Sequence, residues 1–163
     1  MVHRRAVIVV SHLLTLLFGA VLTTGCRSGS HNNDLAEAIG AIKAGRYDDA
    51  VKLLKPMASS GVAGAAVELG NMYVLGLGVP VDDAAGQSWY EVAEREGVAK
   101  GKSQFDIALE LAAGRGVPKN PHRATEWLQK AAALGNESAK QVVANPSEMA
   151  RRGFETDDTG VQR

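Results

Sequence analysis

A single cysteine, Cys26, stands in a chain of 163 residues. One thiol cannot close a disulfide within its own chain, so no disulfide framework supports the fold and no cysteine-based zinc cluster can assemble. Aromatic residues are scarce, at 5% of the chain, while glycine is abundant with 18 residues. Such a balance suits short helices packed closely on one another better than a sheet. An excess of either charge is also missing, since 18 basic residues meet 18 acidic ones. Discounting Arg4 and Arg5, which lie in a leading segment discussed below, leaves 16 against 18. Without a basic face to displace counterions from phosphates, nucleic acid is excluded as a partner. Histidine is equally thin: His3 and His12 belong to the leading segment, and His31 and His122 stand alone, so no metal site is expected. No serine occupies a G-x-S-x-G turn. The carboxylate pairs Asp48–Asp49 and Asp82–Asp83 fall where helices are expected to start, and Asp157–Asp158 falls near the end of the chain. No catalytic residue and no cofactor is therefore assigned, and the chain is read as a non-enzyme. Its length allows one domain with a real core.

What is present begins with a targeting pattern. MVHRR is followed by an uncharged run over residues 6–22, short of the ~20 apolar residues of a spanning helix and interrupted by Ser11, His12 and Thr15. The run ends in LTTGC, residues 22–26, which resembles the lipobox of bacterial lipoproteins: Thr24 and Gly25 are the small residues before the cysteine, and Thr23 stands where that motif usually carries an aliphatic one. The resemblance implies a signal peptide over residues 1–25, lipidation of Cys26 and membrane attachment through that lipid. Arg27 is not the aspartate that favours inner-membrane retention, which implies an outer-membrane lipoprotein facing the periplasm. RSGSHNN is polar, and residues 26–33 are expected to be the modified cysteine and a flexible tether.

The remainder repeats itself. GLGVP at residues 76–80 returns as GRGVP at 114–118, and at the same offset of 38 Trp89 meets Trp127 and Gly97 meets Gly135. A fixed period in this range marks a solenoid. Each unit reads as a helix pair. Leu69, Met72 and Tyr73 stand three and four apart, as do Ile107 and Leu111, giving each first helix an apolar stripe. The second helices are predicted to start behind the N-caps Asp82 and Asn120, with Pro121 in the first helical position, and to bury Trp89 and Val92, then Trp127, Leu128 and Ala131. GLGVP is then punctuation: a left-handed glycine ends the first helix, a second glycine tightens the turn, and Pro80 prevents further helix. A phosphate cradle would need a preceding strand and a Lys-Ser or Lys-Thr after the glycines, and neither is present.

The pattern resembles the Sel-one-like repeat (SLR) family, relatives of the tetratricopeptide repeats. The first full unit carries its signature in Ala65, Leu69, Gly70, Tyr73, Gly76, Gly78, Val79, Asp82, Trp89, Tyr90 and Gly97, with Gly86 in place of an alanine. The second keeps Gly114, Gly116, Val117, Ala124, Trp127, Lys130, Ala131, Ala132 and Gly135, but has Ile107, Ala108 and Leu111 for Leu-Gly-Tyr and Asn120 for the aspartate. The resemblance spans roughly residues 35–144 and implies an all-α, right-handed solenoid of short antiparallel helix pairs. Its expected parts are a degenerate helix pair at 34–61, repeats at 62–97 and 98–135, a capping helix at 136–152 and a mobile tail at 153–163. By the same resemblance Trp89 and Trp127 are core residues, and the first helices line a concave groove that presents Glu68, Asn71 and Met72 from one unit and Leu109 and Glu110 from the next. The implied partner is a protein, either an envelope component or a secreted effector. Some small SLR lipoproteins act as immunity proteins against phospholipase-type toxins of type VI systems. A cysteine-rich branch is credited with acting on β-lactams; this chain lacks those cysteines, so that activity is not carried over.

Overall fold

The structure, a computed structural model, describes residues 28–115 and 117–155. The signal segment, Cys26, Gly116 and residues 156–163 of the expected tail lie outside the described residues. Among the described residues there are eight α-helices and no strand: α1 (Ser28–Lys43), α2 (Tyr47–Ser59), α3 (Ala63–Leu75), α4 (Asp83–Arg95), α5 (Lys102–Ala113), α6 (Pro121–Ala133), α7 (Glu137–Val143) and α8 (Pro146–Arg152). Successive helices pack as pairs, α1 on α2, α3 on α4 and α5 on α6, with α2 laid along α3 and α6 along α7. This is the all-α repeat solenoid that the periodicity predicts.

Each helix follows from local chemistry. In α2 the buried residues Ala50, Leu54, Met57 and Ala58 stand four, three and one apart, one stripe of a helix. The Asp82 side chain accepts from Ala85 N at the start of α4, and the Asn120 side chain from Arg123 N at the start of α6, with Pro121 at the first helical position. Each cap satisfies a backbone donor that the helix itself leaves free. Gly76 and Gly114 end α3 and α5 in the left-handed conformation. Gly78 adds a second reason for the glycine-rich turn: a Cβ there would lie 2.8 Å from the backbone of Tyr47, so the turn of the first repeat rests on the start of α2.

Three expectations are corrected. The tether was expected through residue 33, but α1 begins at Ser28. A helix anchored by the buried Ala38 and Ala41 extends backwards over Gly29, at a propensity cost of about 1 kcal/mol, and over polar residues, at up to about 0.7 kcal/mol each. The single capping helix at 136–152 is two helices, because Asn145 both ends α7 and caps α8, accepting from Glu148 N ahead of Pro146. The tail expected from residue 153 is docked over its first three residues. Gly153 ends α8 with φ 84°, and Phe154 N donates to Met149 O at 3.0 Å while Gly153 N donates to Ala150 O. This is a Schellman closure whose hydrophobic residue, Phe154, is 5% exposed.

The interior is in two parts. One cluster joins Ala38, Leu54, Met57, Leu69 and Met72 with Ala93; the other joins Ile107, Leu111, Trp127, Leu128, Met149 and Phe154 with Val74 and Tyr90 of the first repeat.

Candidate functional site

Glu68 and Asn71 from α3 and Leu109 and Glu110 from α5 are all half-buried. Met72 does not join them. It is 1% exposed in the first cluster, one position around the helix from Asn71, and this corrects its expected place in the groove.

Behind these residues stands Tyr90 of α4, fully buried. Its hydroxyl donates to Asn71 Oδ1 at 2.7 Å, and Asn71 in turn hydrogen-bonds the Glu68 carboxylate. Burial pushes the Tyr90 phenol well above its ordinary value, and the charges of Glu110, Glu68, Asp83 and Asp106 push it further. Two of those four carboxylates have cations: Asp83 is paired with Arg123, and Asp106 with Lys102 at 2.5 Å. Burial raises the Glu68 carboxyl, opposed by the Asn71 hydrogen bond. Burial also raises Glu110, the charge of Glu68 adds to this, and Arg115 opposes it. Two partly desolvated carboxylates, one from each repeat, therefore share one electrostatic environment.

The sign of their effect on stability is fixed. Because both folded-state values lie above 4.5, the native state holds more protons than the unfolded chain between that value and the raised ones. Stability therefore falls as pH rises through that window. Glu110→Gln should raise the thermal midpoint at neutral pH and leave it unchanged well below pH 4.5, where both states are protonated. Circular-dichroism melts at the two pH values check this; a lower midpoint at neutral pH would contradict it.

The repeat tryptophans differ. Trp127 is fully buried, 5.7 Å edge-on from Tyr90, with Lys130 Nζ 4.1 Å from its ring centre. Trp89, in the equivalent position, is only half-buried and lines a shallow groove of about 310 Å³ with Ser59, Ser60, Gly61, Val92 and Arg95. The core role implied for both thus holds fully for Trp127 and partly for Trp89. Leu69 and Gly70 are buried and Tyr73 half-buried, as parts of the helix-pair interior.

A second hollow, of about 430 Å³, lies between α6 and the closing helices and includes His122, Thr125, Gln129, Val143 and Glu155. His122 Nδ1 is 2.9 Å from Glu155 Oε2, and Glu155 N donates to Thr125 Oγ1. The hydrogen bond to Glu155 and the charges of Glu126 and Glu155 raise His122 above 6.5. These contacts fasten the segment after α8 and bring no nucleophile to the histidine. Among the described residues no group of three or more His, Cys, Asp or Glu could hold a metal ion.

The sequence reading missed Tyr90 as the buried hydrogen-bond partner of Asn71 and Arg123 as a tie between repeats. Arg123 Nη2 donates to Val74 O at 2.7 Å and its guanidinium pairs with Asp83. Position within the repeat gave no signal for either, because Tyr90 matches Leu128 and Arg123 matches Ala85.

The fold defines a helical-repeat module with no assembled reaction centre among the described residues. Residues 63–98 and 101–136 each match the Sel1 repeat. Among solved structures the chain is similar to a Sel1 repeat protein from Oxalobacter formigenes, at 32% identity over 72% of this chain and 90% of that one, with a TM-score of 0.44. None of the curated proteins compared with the chain matches it. The chain belongs to the Sel1 repeat family. Sel1 repeats generally mediate protein–protein interactions, and proteins built from them are typically non-enzymatic scaffolds.

Proposed function

We propose that this chain is a lipid-anchored module that holds a segment of a partner protein in the groove between α3 and α5, on the periplasmic side of the outer membrane. The groove is supported by the electrostatic influence of one repeat on the other: Glu68 and Glu110 are each partly desolvated, and the charge of Glu68 raises the Glu110 carboxyl. A lysine or arginine from a partner would relieve both, while the half-buried Leu109, adjacent to Glu110 in the chain, suits an apolar neighbour of that cation. The anchor rests on LTTGC and the uncharged run before it. Among the described residues no helix is long and apolar enough to cross a membrane; the attachment proposed is the lipid on Cys26. The partner is an envelope component or a secreted effector; a toxin in the groove would make the module an immunity protein.

The test is to recover the full-length protein from membranes of its own host and identify its N-terminal peptide and stoichiometric partner by mass spectrometry, beside a Glu68→Lys, Glu110→Lys variant of unchanged helical content. The expected result is acylated Cys26 with one dominant partner, reduced at least about tenfold on the variant, in line with like-charge juxtaposition costing several kcal/mol. An unmodified N-terminus would overturn the anchor, and equal recovery on the variant would overturn the groove.

A further inference from the structure

The two junctions between successive helix pairs are built differently. Where α2 meets α3, the facing positions include Val51, Ala58 and Ala66, the last two fully buried. The N-caps Arg46 and Asp82 are 36 residues apart, which sets α4 on α2 and places Gln87 at Val51 and Glu94 at Ala58. On the repeat offset of 38, Gln104 of α5 falls at Ala66. Three apolar positions of the first junction are thus polar in the second.

The contacts follow the chemistry. Gln104 Nε2 donates to Gln87 Oε1 at 3.3 Å and to Glu94 Oε1 at 3.2 Å, and Gly101 N donates to Glu94 Oε1 at 3.1 Å. Gln104 is fully buried, yet its Oε1 has no partner, and neither has the buried Nε1 of Trp127. Whereas α2 lies along α3, α4 and α5 approach each other at only a few points. The second core cluster crosses this junction, taking in Val74 and Tyr90 of the first repeat, while Leu69, Met72 and Ala93 belong to the first cluster. Across the second junction the repeats are joined by the Tyr90–Trp127 edge contact, the Arg123 tie to Asp83 and Val74, and the Gln104–Glu94 hydrogen bonds.

A junction whose facing helices α4 and α5 meet at few points, through long hydrogen bonds and with two unpaired buried polar atoms in its repeats, opens at lower cost than a dry one. We infer that the α4–α5 junction is a hinge, where the two repeats pivot over the Tyr90–Trp127 contact and change the separation of Glu68 on one side from Glu110 on the other. The hinge stands on the junction's own chemistry; its use in gripping a partner rests on the groove proposed above. An arriving cation would draw the two carboxylates together and close the groove, so binding and closure would be coupled.

Spin-label distances in the free protein test the hinge separately from the groove. With Cys26→Ser as background, labels at Lys52→Cys and Ser88→Cys span the dry junction, and labels at Ser88→Cys and Glu126→Cys span the polar one; all three sites are exposed and equivalent in the repeat. The expected distribution for the second pair is on the order of twofold broader than for the first, as befits the less tightly packed contact. Converting the junction with Gln87→Val, Glu94→Ala and Gln104→Ala should narrow it to match. Equally narrow distributions would overturn the hinge, and so would equally broad ones, which would mean a solenoid flexible throughout. Should the triple variant fail to fold, the comparison between the two unaltered junctions decides. Loss of the partner on the Glu68→Lys, Glu110→Lys variant bears only on the groove.

Discussion

Trp127→Ala should cost about 3–5 kcal/mol, while Trp89→Ala, at the matching position, should cost about 1–2 kcal/mol. The two residues carry the same signature role, and their surroundings separate them. Trp127 is fully enclosed, its ring meets Tyr90 edge-on, and it belongs to the cluster that holds Ile107, Leu111 and Leu128. Truncation there leaves a cavity bounded by helices from both repeats, which cannot collapse without moving α4 against α6. Trp89 already borders solvent beside Ser60 and Arg95, so water and neighbouring side chains fill much of the vacated space. One term favours the Trp127 variant, namely the removal of its unpaired Nε1, and it is smaller than the lost burial. Urea unfolding followed by circular dichroism, with unchanged slope, measures both. Equal losses would mean that position within the repeat, and not enclosure, decides the energetics.

The crossing of α3 and α4 gives the second large effect. A Cβ on Gly70 would stand 2.5 Å from the Tyr90 ring, and a Cβ on Gly86 would stand 2.5 Å from Val74 Cγ2; each would also be 3.1 Å from the other glycine's carbonyl oxygen or that of its partner helix. In the second repeat the equivalent residues are Ala108, Ala124 and Leu128, all fully buried. The two crossings are alternative solutions of one packing problem, with two glycines and a large aromatic in the first and two alanines and a leucine in the second. Gly70→Ala with Gly86→Ala should therefore destabilise by about 2–4 kcal/mol through overpacking, even after a gain of up to about 1 kcal/mol per site in helix propensity. Adding Tyr90→Leu should recover part of that loss, although Tyr90→Leu alone is destabilising because it abandons the hydrogen bond to Asn71 and the contact with Trp127. A double-mutant cycle treating the two glycines as one site measures the coupling. Strict additivity would show that ring and glycines do not share the same space.

The parts of the fold that could be read from the chain are those where one residue performs one local task. Asp82, Asn120 and Pro121 announce helix starts because capping needs only a side-chain oxygen or a missing donor at a given place. Gly76 and Gly114 announce helix ends because a left-handed residue is cheap only for glycine. The start of α1 was hidden, because polar residues neither demand nor forbid helix once packing has nucleated it. Phe154 was hidden for a different reason: one apolar residue has no period, and its burial depends on Met149 and the second core cluster being already in place. Glu68, Asn71, Leu109 and Glu110 are assigned by their register on the first helices, and all four are half-buried. Met72 was misplaced because adjacent residues point about 100° apart on a helix, so one step carries a side chain from the groove into the core. The polar junction left a readable trace, a glutamine where the preceding repeat has a buried alanine, but only the packing of α4 and α5 gives that trace its meaning.

The closure of the far end by Met149 and Phe154 has a consequence for what the groove can read. Met149 and Phe154 join the second cluster and hold α8 against α5, so among the described residues the proposed groove has only α3 and α5 to frame it. A surface framed by two helices is too small to single out one protein among many by sequence alone. For the lipid-anchored module proposed above, selectivity would come from confinement: a tethered module meets what shares its surface at a high local concentration, and a short, weak match becomes sufficient.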